Sequence, residues 1–168
     1  MKSLKKILLI TPPYHTGVVE SAGVWLNVGF VYLAGSLRAA GHEPVIYDAM
    51  SHWHEYDDIR KRIELEKPDV VGTTAFTAEI VDALKVLKLA KEVNPGIITV
   101  IGNVHPTYCY EEILTTPGNP VDYIVMGEGE QTIVELMDCL SVGSDPVKVR
   151  SIAFSRDRKS TRLNSSHQ

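Results

Sequence analysis

The sequence predicts an α/β protein whose parallel sheet is covered by helices on both faces. Two observations predict it. Short apolar runs with strand character alternate with segments of helical periodicity from about residue 5 to 155, the pattern of successive βα units. The best marked of these runs, "GIITVIG", is apolar almost throughout, as expected of a strand buried on both faces.

The elements follow in order. "KKILLIT" is a first strand, closed by the turn signal Pro12-Pro13. In "NVGFVYLAGSLRAAGH", Phe30, Leu33, Ala34 and Leu37 recur at helical spacing, and Arg38 is the only charge before Gly41. Gly41 marks the helix end. Gly29 and Gly35 inside this helix cost stability relative to alanine, so each implies close packing against the sheet or a ligand. "EPVIYDA" is a second strand, and "HEYDDIRKRIELEKP" a polar helix stopped by Pro68. "DVVGTTA" is the third strand. "TAEIVDALKVLKLAKEVNP" is strongly periodic: Ile80, Ala83, Leu84 and Leu87 form an apolar face, while Lys85, Lys88 and Glu92 face water. "GIITVIG" is the fourth strand, "PTYCYEEILTT" a short helix, "VDYIVMG" the fifth strand and "EGEQTIVELMDCL" a helix. "VRSIAFS", near 149–155, starts a further strand. The sum is a flavodoxin-like (Rossmann-like) three-layer sandwich with a five-stranded parallel sheet in the order 2-1-3-4-5.

The chain has 168 residues, 44% hydrophobic and 23% charged, which suits one domain with an ordinary core. The formal net charge of −4 argues against nucleic acid as a partner. No run is long and apolar enough for a membrane span. The apolar run Ile7 to Ile10 is too short for a signal-peptide core. Two distant cysteines, Cys109 and Cys139, argue against a disulfide framework, and a cytoplasmic location is expected.

The segment "DRKSTRLNSSHQ", residues 157–168, has Leu163 as its one apolar residue and no periodicity. It resembles the translation of a common sequencing adapter. Residues 1–156 are therefore expected to form the domain, and 157–168 an artefactual, disordered and dispensable tail. A basic nucleic-acid-binding tail is the alternative. The tail carries Arg158, Lys159 and Arg162 against Asp157, a formal +2, so the remainder carries −4 − 2 = −6. The natural chain is expected to continue beyond residue 156.

Ligands of open parallel sheets bind outside the carboxyl ends of the strands, near the switch point. Here those ends read "TPPYHTG", "YDAM", "GTTAFT", "GNVHPT" and "MGEGE", whereas the opposite connections are plain: "AAGHEP", "LEKPD", "EVNPG". No G-x-G-x-x-G follows the first strand, and no P-loop lysine pattern occurs. A phosphoacceptor receiver would need acidic residues after strand 1 and Asp after strand 3, where this chain has Thr11-Pro12 and Thr73-Thr74. Glu128 and Glu130 suit the start of the last helix, would repel a phosphate, and equally suit a ligand bearing amide donors. Thr73 and Thr74 serve either as strand-end residues or as ligand contacts, and Asp48 as a turn cap. His15, His42, His52 and His54 show no partner pattern and are expected at exposed positions. Cys109 and Cys139 are expected to be half-buried helix residues.

His105 and Cys109, four residues apart, raise the question of a metal or catalytic pair. Pro106 restricts the backbone of His105, so the helix is expected to begin near Pro106 and leave His105 outside it. Two ligands are also too few for a tetrahedral zinc site. The expectation is no metal site.

Taken as an ordered set, "ITPPY…GFVYLAGSLRAAGHEPVIYDA…KPDVVGTTAFT…VNPGIITVIGNVHPTY…VDYIVMGEGE" resembles the N-terminal cobalamin-binding domain of cobalamin-dependent radical S-adenosylmethionine enzymes. It looks closest to the anaerobic magnesium-protoporphyrin monomethyl ester cyclase branch. The resemblance covers about residues 5–155, with G-x-x-H-P-T after strand 4 and G-E-G-E after strand 5. It implies cobalamin over the carboxyl edge of the sheet. The matching contacts are Thr11, Pro12, Pro13 and Tyr14; Thr73, Thr74, Ala75 and Phe76; Gly102, Asn103, Val104 and His105; and Met126, Gly127, Glu128 and Gly129. A broad, flat corrin requires small residues and backbone, and its rim amides require acceptors.

Many cobalamin domains carry a D-x-H-x-x-G loop after strand 1, whose histidine sits beneath the cobalt. His15 here has Pro13 two residues before it and lacks the glycine spacing. The resemblance therefore implies base-off cobalamin, its nucleotide tail inserted among the strands, with no protein histidine ligand. The family's usual Gly-Gly pair after strand 4 is Gly102-Asn103 here, and Asn tolerates left-handed backbone. The C-x-x-x-C-x-x-C motif of the radical half is not in this chain. S-adenosylmethionine and a 4Fe-4S cluster are thus expected only in a downstream radical domain joined in cis, and the fragment itself is expected to bind without catalysing. The intact parent would perform methyl transfer or tetrapyrrole cyclase-type radical chemistry. The rival readings are a stand-alone α/β binding or signalling domain without a corrinoid, and a small enzyme using His105 and Glu128, for which no nucleophile–base–orienter set exists.

Overall fold

The structure, a computed structural model, describes residues 5–15, 27–157 and 160–165. A seven-stranded sheet runs β2-β1-β3-β4-β5-β6-β7. Its strands are β1 (Lys6–Ile10), β2 (Glu43–Tyr47), β3 (Val70–Thr74), β4 (Ile98–Gly102), β5 (Tyr123–Val125), β6 (Ile152–Asp157) and β7 (Ser160–Ser165). The first five are parallel, in the order 2-1-3-4-5 that the sequence predicts. β6 and β7 extend the sheet antiparallel beyond β5. Where the sequence predicts no regular structure, within 157–168, the backbone of Ser160–Ser165 pairs with β6. The physical reason is the edge: β6 presents a row of free N–H and C=O groups, which pair with extended chain whatever its side chains.

Helices α1 (Val28–Ala39) and α6 (Glu130–Ser141) cover one face, where Phe30, Leu37, Ile133, Leu136 and Met137 pack with Ile7, Leu9, Val70, Val100 and Val125. Helices α2 (Tyr56–Glu66), α3 (Ile80–Val93) and α5 (Tyr110–Thr115) cover the other, where Ile59, Ile63, Ala83, Val86, Leu87 and Ile113 pack with Leu8, Ile10, Val71 and Ile101. Adjacent residues of each strand thus serve opposite layers, as the period-2 pleat requires. In α3, Ala83 and Leu87 are buried while Lys85, Lys88 and Glu92 face water, as their spacing predicts.

The amino edge is tied by charge. Lys6 Nζ reaches Glu66 at 2.7 Å and Glu43 at 3.4 Å, Lys5 reaches Asp69 at 3.6 Å, and Lys91 pairs with Asp122. The Lys6 ammonium holds the Glu66 carboxyl below its usual range. His42, expected at an exposed position, is buried, because the turn after α1 directs it against α6, where Nε2 donates to Asp138 at 2.7 Å. α1 ends as its sequence signals: Gly41 adopts φ +88°, and His42 N–H returns to the Leu37 carbonyl.

Of the two glycines inside α1, Gly35 has no packing role among the described residues. It is exposed, and a Cβ there would meet nothing within 4 Å. Gly35→Ala should stabilise the domain by about 0.5–1 kcal/mol through helix propensity alone. The measurement is a urea midpoint shifted upward at constant slope.

Candidate functional site

The carboxyl ends of β1, β3, β4 and β5 open onto a cleft of about 430 Å³ between the first turns of α1 and α6. Its mouth carries Asn27, Gly29, Thr74, Asn103, Val104, Tyr108 and the turn Gly127–Glu130. Its floor lies on the sheet face, at Ile7, Leu9, Gly72, Val100 and Val125, with Phe30, Leu33 and Ile133 as walls. These inner residues are nearly closed to solvent, with Ile7 at 0% and Leu9 at 3% exposure. Glycines let the elements around the cleft approach closely. A Cβ on Gly72 would lie 2.8 Å from Leu9 Cδ2, one on Gly102 3.3 Å from the Val125 carbonyl oxygen, and one on Gly129 3.2 Å from Leu33 Cδ2.

The loops around the mouth are braced to one another. The strand β4 loop bends at Asn103, whose φ of 87° and ψ of −170° fall in a region reserved almost entirely for glycine. Its side chain compensates: Nδ2 donates to Thr74 Oγ1 at 2.8 Å, and Oδ1 accepts the Val104 N–H at 2.7 Å. Thr107 Oγ1 donates to the Asn103 carbonyl at 2.7 Å and accepts the Gly127 N–H at 3.2 Å. The β4 loop is thereby joined to the β3 loop on one side and the β5 loop on the other. On the β3 side, Phe76 N–H donates to Glu79, whose carboxyl burial pushes above its ordinary range.

Of the residues the sequence nominates, Thr73, Thr74, Gly102, Asn103, Val104, Gly127, Glu128 and Gly129 line this cleft. The others do not. Thr11, Pro12, Pro13 and Met126 are buried, and the Thr11 hydroxyl is occupied, donating to Asp48 Oδ1 at 2.9 Å and accepting the Met50 N–H. Asp48 also accepts from the N–H and hydroxyl of Ser51, so it clamps the loops after β1 and β2. Ala75 is buried; Tyr14 is half-buried and Phe76 is exposed outside the lining. His105 is a brace, with Nδ1 3.2 Å from Thr77 Oγ1 and its N–H bonded to the Ala75 carbonyl.

The helix bearing His105 corrects the sequence expectation. α4 runs Val104–Tyr108, and Cys109 N–H bonds the His105 carbonyl. Pro106 sits in the first turn, where its missing N–H would have had no partner, so the helix starts ahead of it. Sequence reasoning missed the floor residues and Tyr108, which is 82% exposed at the mouth. One signal was available: Gly72 interrupts a strand, which marks a close approach. Gly29, noted as anomalous in the sequence, does line the cleft.

None of the ion pairs among the described residues involves Glu128 or Glu130. The mouth therefore offers free acceptors over an apolar floor. Its strained turn is testable on stability. Asn103→Ala keeps the strained backbone and loses both side-chain bonds, so it should destabilise by about 1–2 kcal/mol. Asn103→Gly relieves the backbone and should be more stable than Asn103→Ala by about 1 kcal/mol or more. Urea denaturation of the two variants gives the order.

Comparison with known proteins points to one ligand class. The B12 binding domain family matches residues 14–137. The anaerobic magnesium-protoporphyrin IX monomethyl ester cyclase of Rubrivivax gelatinosus is 42% identical over 153 residues, 89% of this chain and 27% of that protein. An uncharacterized methyltransferase of Pyrococcus horikoshii is 35% identical over 156 residues, 92% of this chain and 33% of that protein. The chain thus spans about a third or less of the length of these curated relatives. Among solved structures, the cobalamin-dependent S-adenosylmethionine radical enzyme OxsB, with aqua-cobalamin and S-adenosylmethionine bound, superposes at a TM-score of 0.77 with 21% identity over 98% of this chain and 22% of its own. The radical S-adenosylmethionine methyltransferase TsrM from Kitasatospora setae, with cobalamin and a [4Fe-4S] cluster bound, gives 0.75 with 15% identity over 92% and 28%. These likenesses carry the fold, and the family match carries the ligand: the chain belongs to the B12-binding domain family.

Proposed function

We propose that the cleft holds cobalamin in its base-off form, with the corrin across the carboxyl edge and the nucleotide tail in the slot between α1 and α6. The observation that carries this reading is the chemistry of the cleft: an apolar inner lining between α1 and α6 beneath a mouth of backbone, hydroxyl and carboxylate groups. Thr74, Gly102, Asn103, Val104, Gly127, Glu128 and Gly129 would hold the corrin. Its rim amides donate hydrogen bonds, and Glu128 supplies a free carboxylate. Thr11 to Tyr14, Thr73, Ala75, Phe76, His105 and Met126 would support or flank it. Bound cobalamin supplies a cobalt centre able to carry a methyl group or pass through a radical step.

In the whole protein, a radical domain in cis would carry S-adenosylmethionine and a 4Fe-4S cluster, and the parent would catalyse methyl transfer or a tetrapyrrole cyclisation. The free cysteines Cys109 and Cys139 suit a reducing, cytoplasmic setting. The acidic charge disfavours nucleic acid. No helix among the described residues is long and apolar enough to cross a membrane.

Protein mixed with hydroxocobalamin and desalted should stay red. Gly102→Leu, and separately Gly29→Leu, should weaken retention more than about tenfold with circular dichroism unchanged. Full retention by both folded variants would move the ligand elsewhere.

No histidine is expected beneath the metal. His15 is stacked flat on Trp53, ring centroids 4.2 Å apart, and His105 is engaged with Thr77. The electron paramagnetic resonance spectrum of bound Co(II) should lack nitrogen superhyperfine splitting. Splitting that disappears in His15→Ala or His105→Ala would establish ligation instead.

A further inference from the structure

The slot beneath the mouth has a chemical character that goes beyond admitting a corrinoid tail. Its floor and inner wall are Ile7, Leu9, Gly72, Val100, Val125 and Ile133. The strand backbone there is consumed by the ladders β1–β3 and β3–β4. The polar side chains of the lining are at the mouth or committed: Thr73 donates to the Ile10 carbonyl at 2.9 Å, and Asn27 caps α1 by accepting the Phe30 N–H at 3.0 Å. Among the described residues, the deep slot therefore offers no hydrogen-bonding side chain.

Corrinoids differ in the base that ends this tail. A dimethylbenzimidazole presents a methylated carbocycle, whereas an adenine presents two ring nitrogens and an exocyclic amine. Both share the imidazole ring, so the difference lies wholly in the six-membered ring. Taken into this slot, the adenine groups would leave water without finding partners, a cost the carbocycle does not incur. We propose that the slot selects corrinoids with an apolar benzimidazole base over those with a purine base. This rests on the reading that the tail enters the slot.

Val100, on the central strand β4, is the natural probe position, because Val→Thr keeps the shape and adds one hydroxyl. The experiment is equilibrium dialysis of the protein against aquacobalamin and against the corresponding adenine-containing aquacobamide, followed by absorbance. The wild type should bind aquacobalamin about tenfold to a hundredfold more tightly, tenfold being about 1.4 kcal/mol. Val100→Thr should narrow that ratio, whatever its effect on either affinity alone. Binding of both corrinoids within about twofold of each other overturns the selectivity while leaving the cobalamin reading intact, and so does an unchanged ratio in folded Val100→Thr. Binding of neither overturns the cobalamin reading and the selectivity with it.

Discussion

The packing at the inner end of the cleft depends on one side chain that is not there. At Gly72, in the middle of β3, a Cβ would come within 2.8 Å of the Leu9 side chain, and both residues form the cleft floor. Because interiors are close-packed, a methyl group at that point would displace Leu9. The sheet face beneath α1 and α6 is therefore packed down to the backbone of β3, with the Leu9 side chain lying where a Cβ would stand. The same close approach recurs higher up, at Gly102 against the Val125 carbonyl and at Gly129 against Leu33.

Above these contacts, the loops are set by side-chain hydrogen bonds. Asn103 joins the ends of β3 and β4, Thr107 joins β4 to the turn after β5, and Asp48 ties the loops after β1 and β2. Each partner is used twice or more, so the geometry of one loop is conditional on its neighbours. The strained backbone of Asn103 persists because this surrounding network overdetermines it.

Much of this was readable in advance. β-α alternation and the apolar runs of β1, β3 and β4 fix the parallel order, and the plain connections at the amino edge against Gly, Thr, His and Glu at the other point to the working edge. The floor was not readable, for a physical reason. Ile7, Leu9 and Val100 must be apolar whether they meet a helix or an empty slot, so their identity carries no information about which. Thr11 illustrates the reverse error. A hydroxyl at a strand end invites a ligand, and only the fold reveals that Asp48, from the neighbouring strand's loop, takes it first. His42 lies in a connection that looks plain, and its partner Asp138 is 96 residues away, beyond any local pattern.

The distribution of bond types between the two ends has its own consequence. Among the described residues, the lysine and arginine ion pairs that join separate elements lie at the amino edge, at Lys5, Lys6 and Lys91, or between α2 and α3 at Arg60 and Glu92. Added electrolyte screens exposed charges over about 10 Å at 0.1 M and leaves neutral hydrogen bonds largely untouched. Ionic strength therefore acts first on the amino edge, and leaves the Asn103 and Thr107 bonds that join the β3, β4 and β5 loops largely untouched.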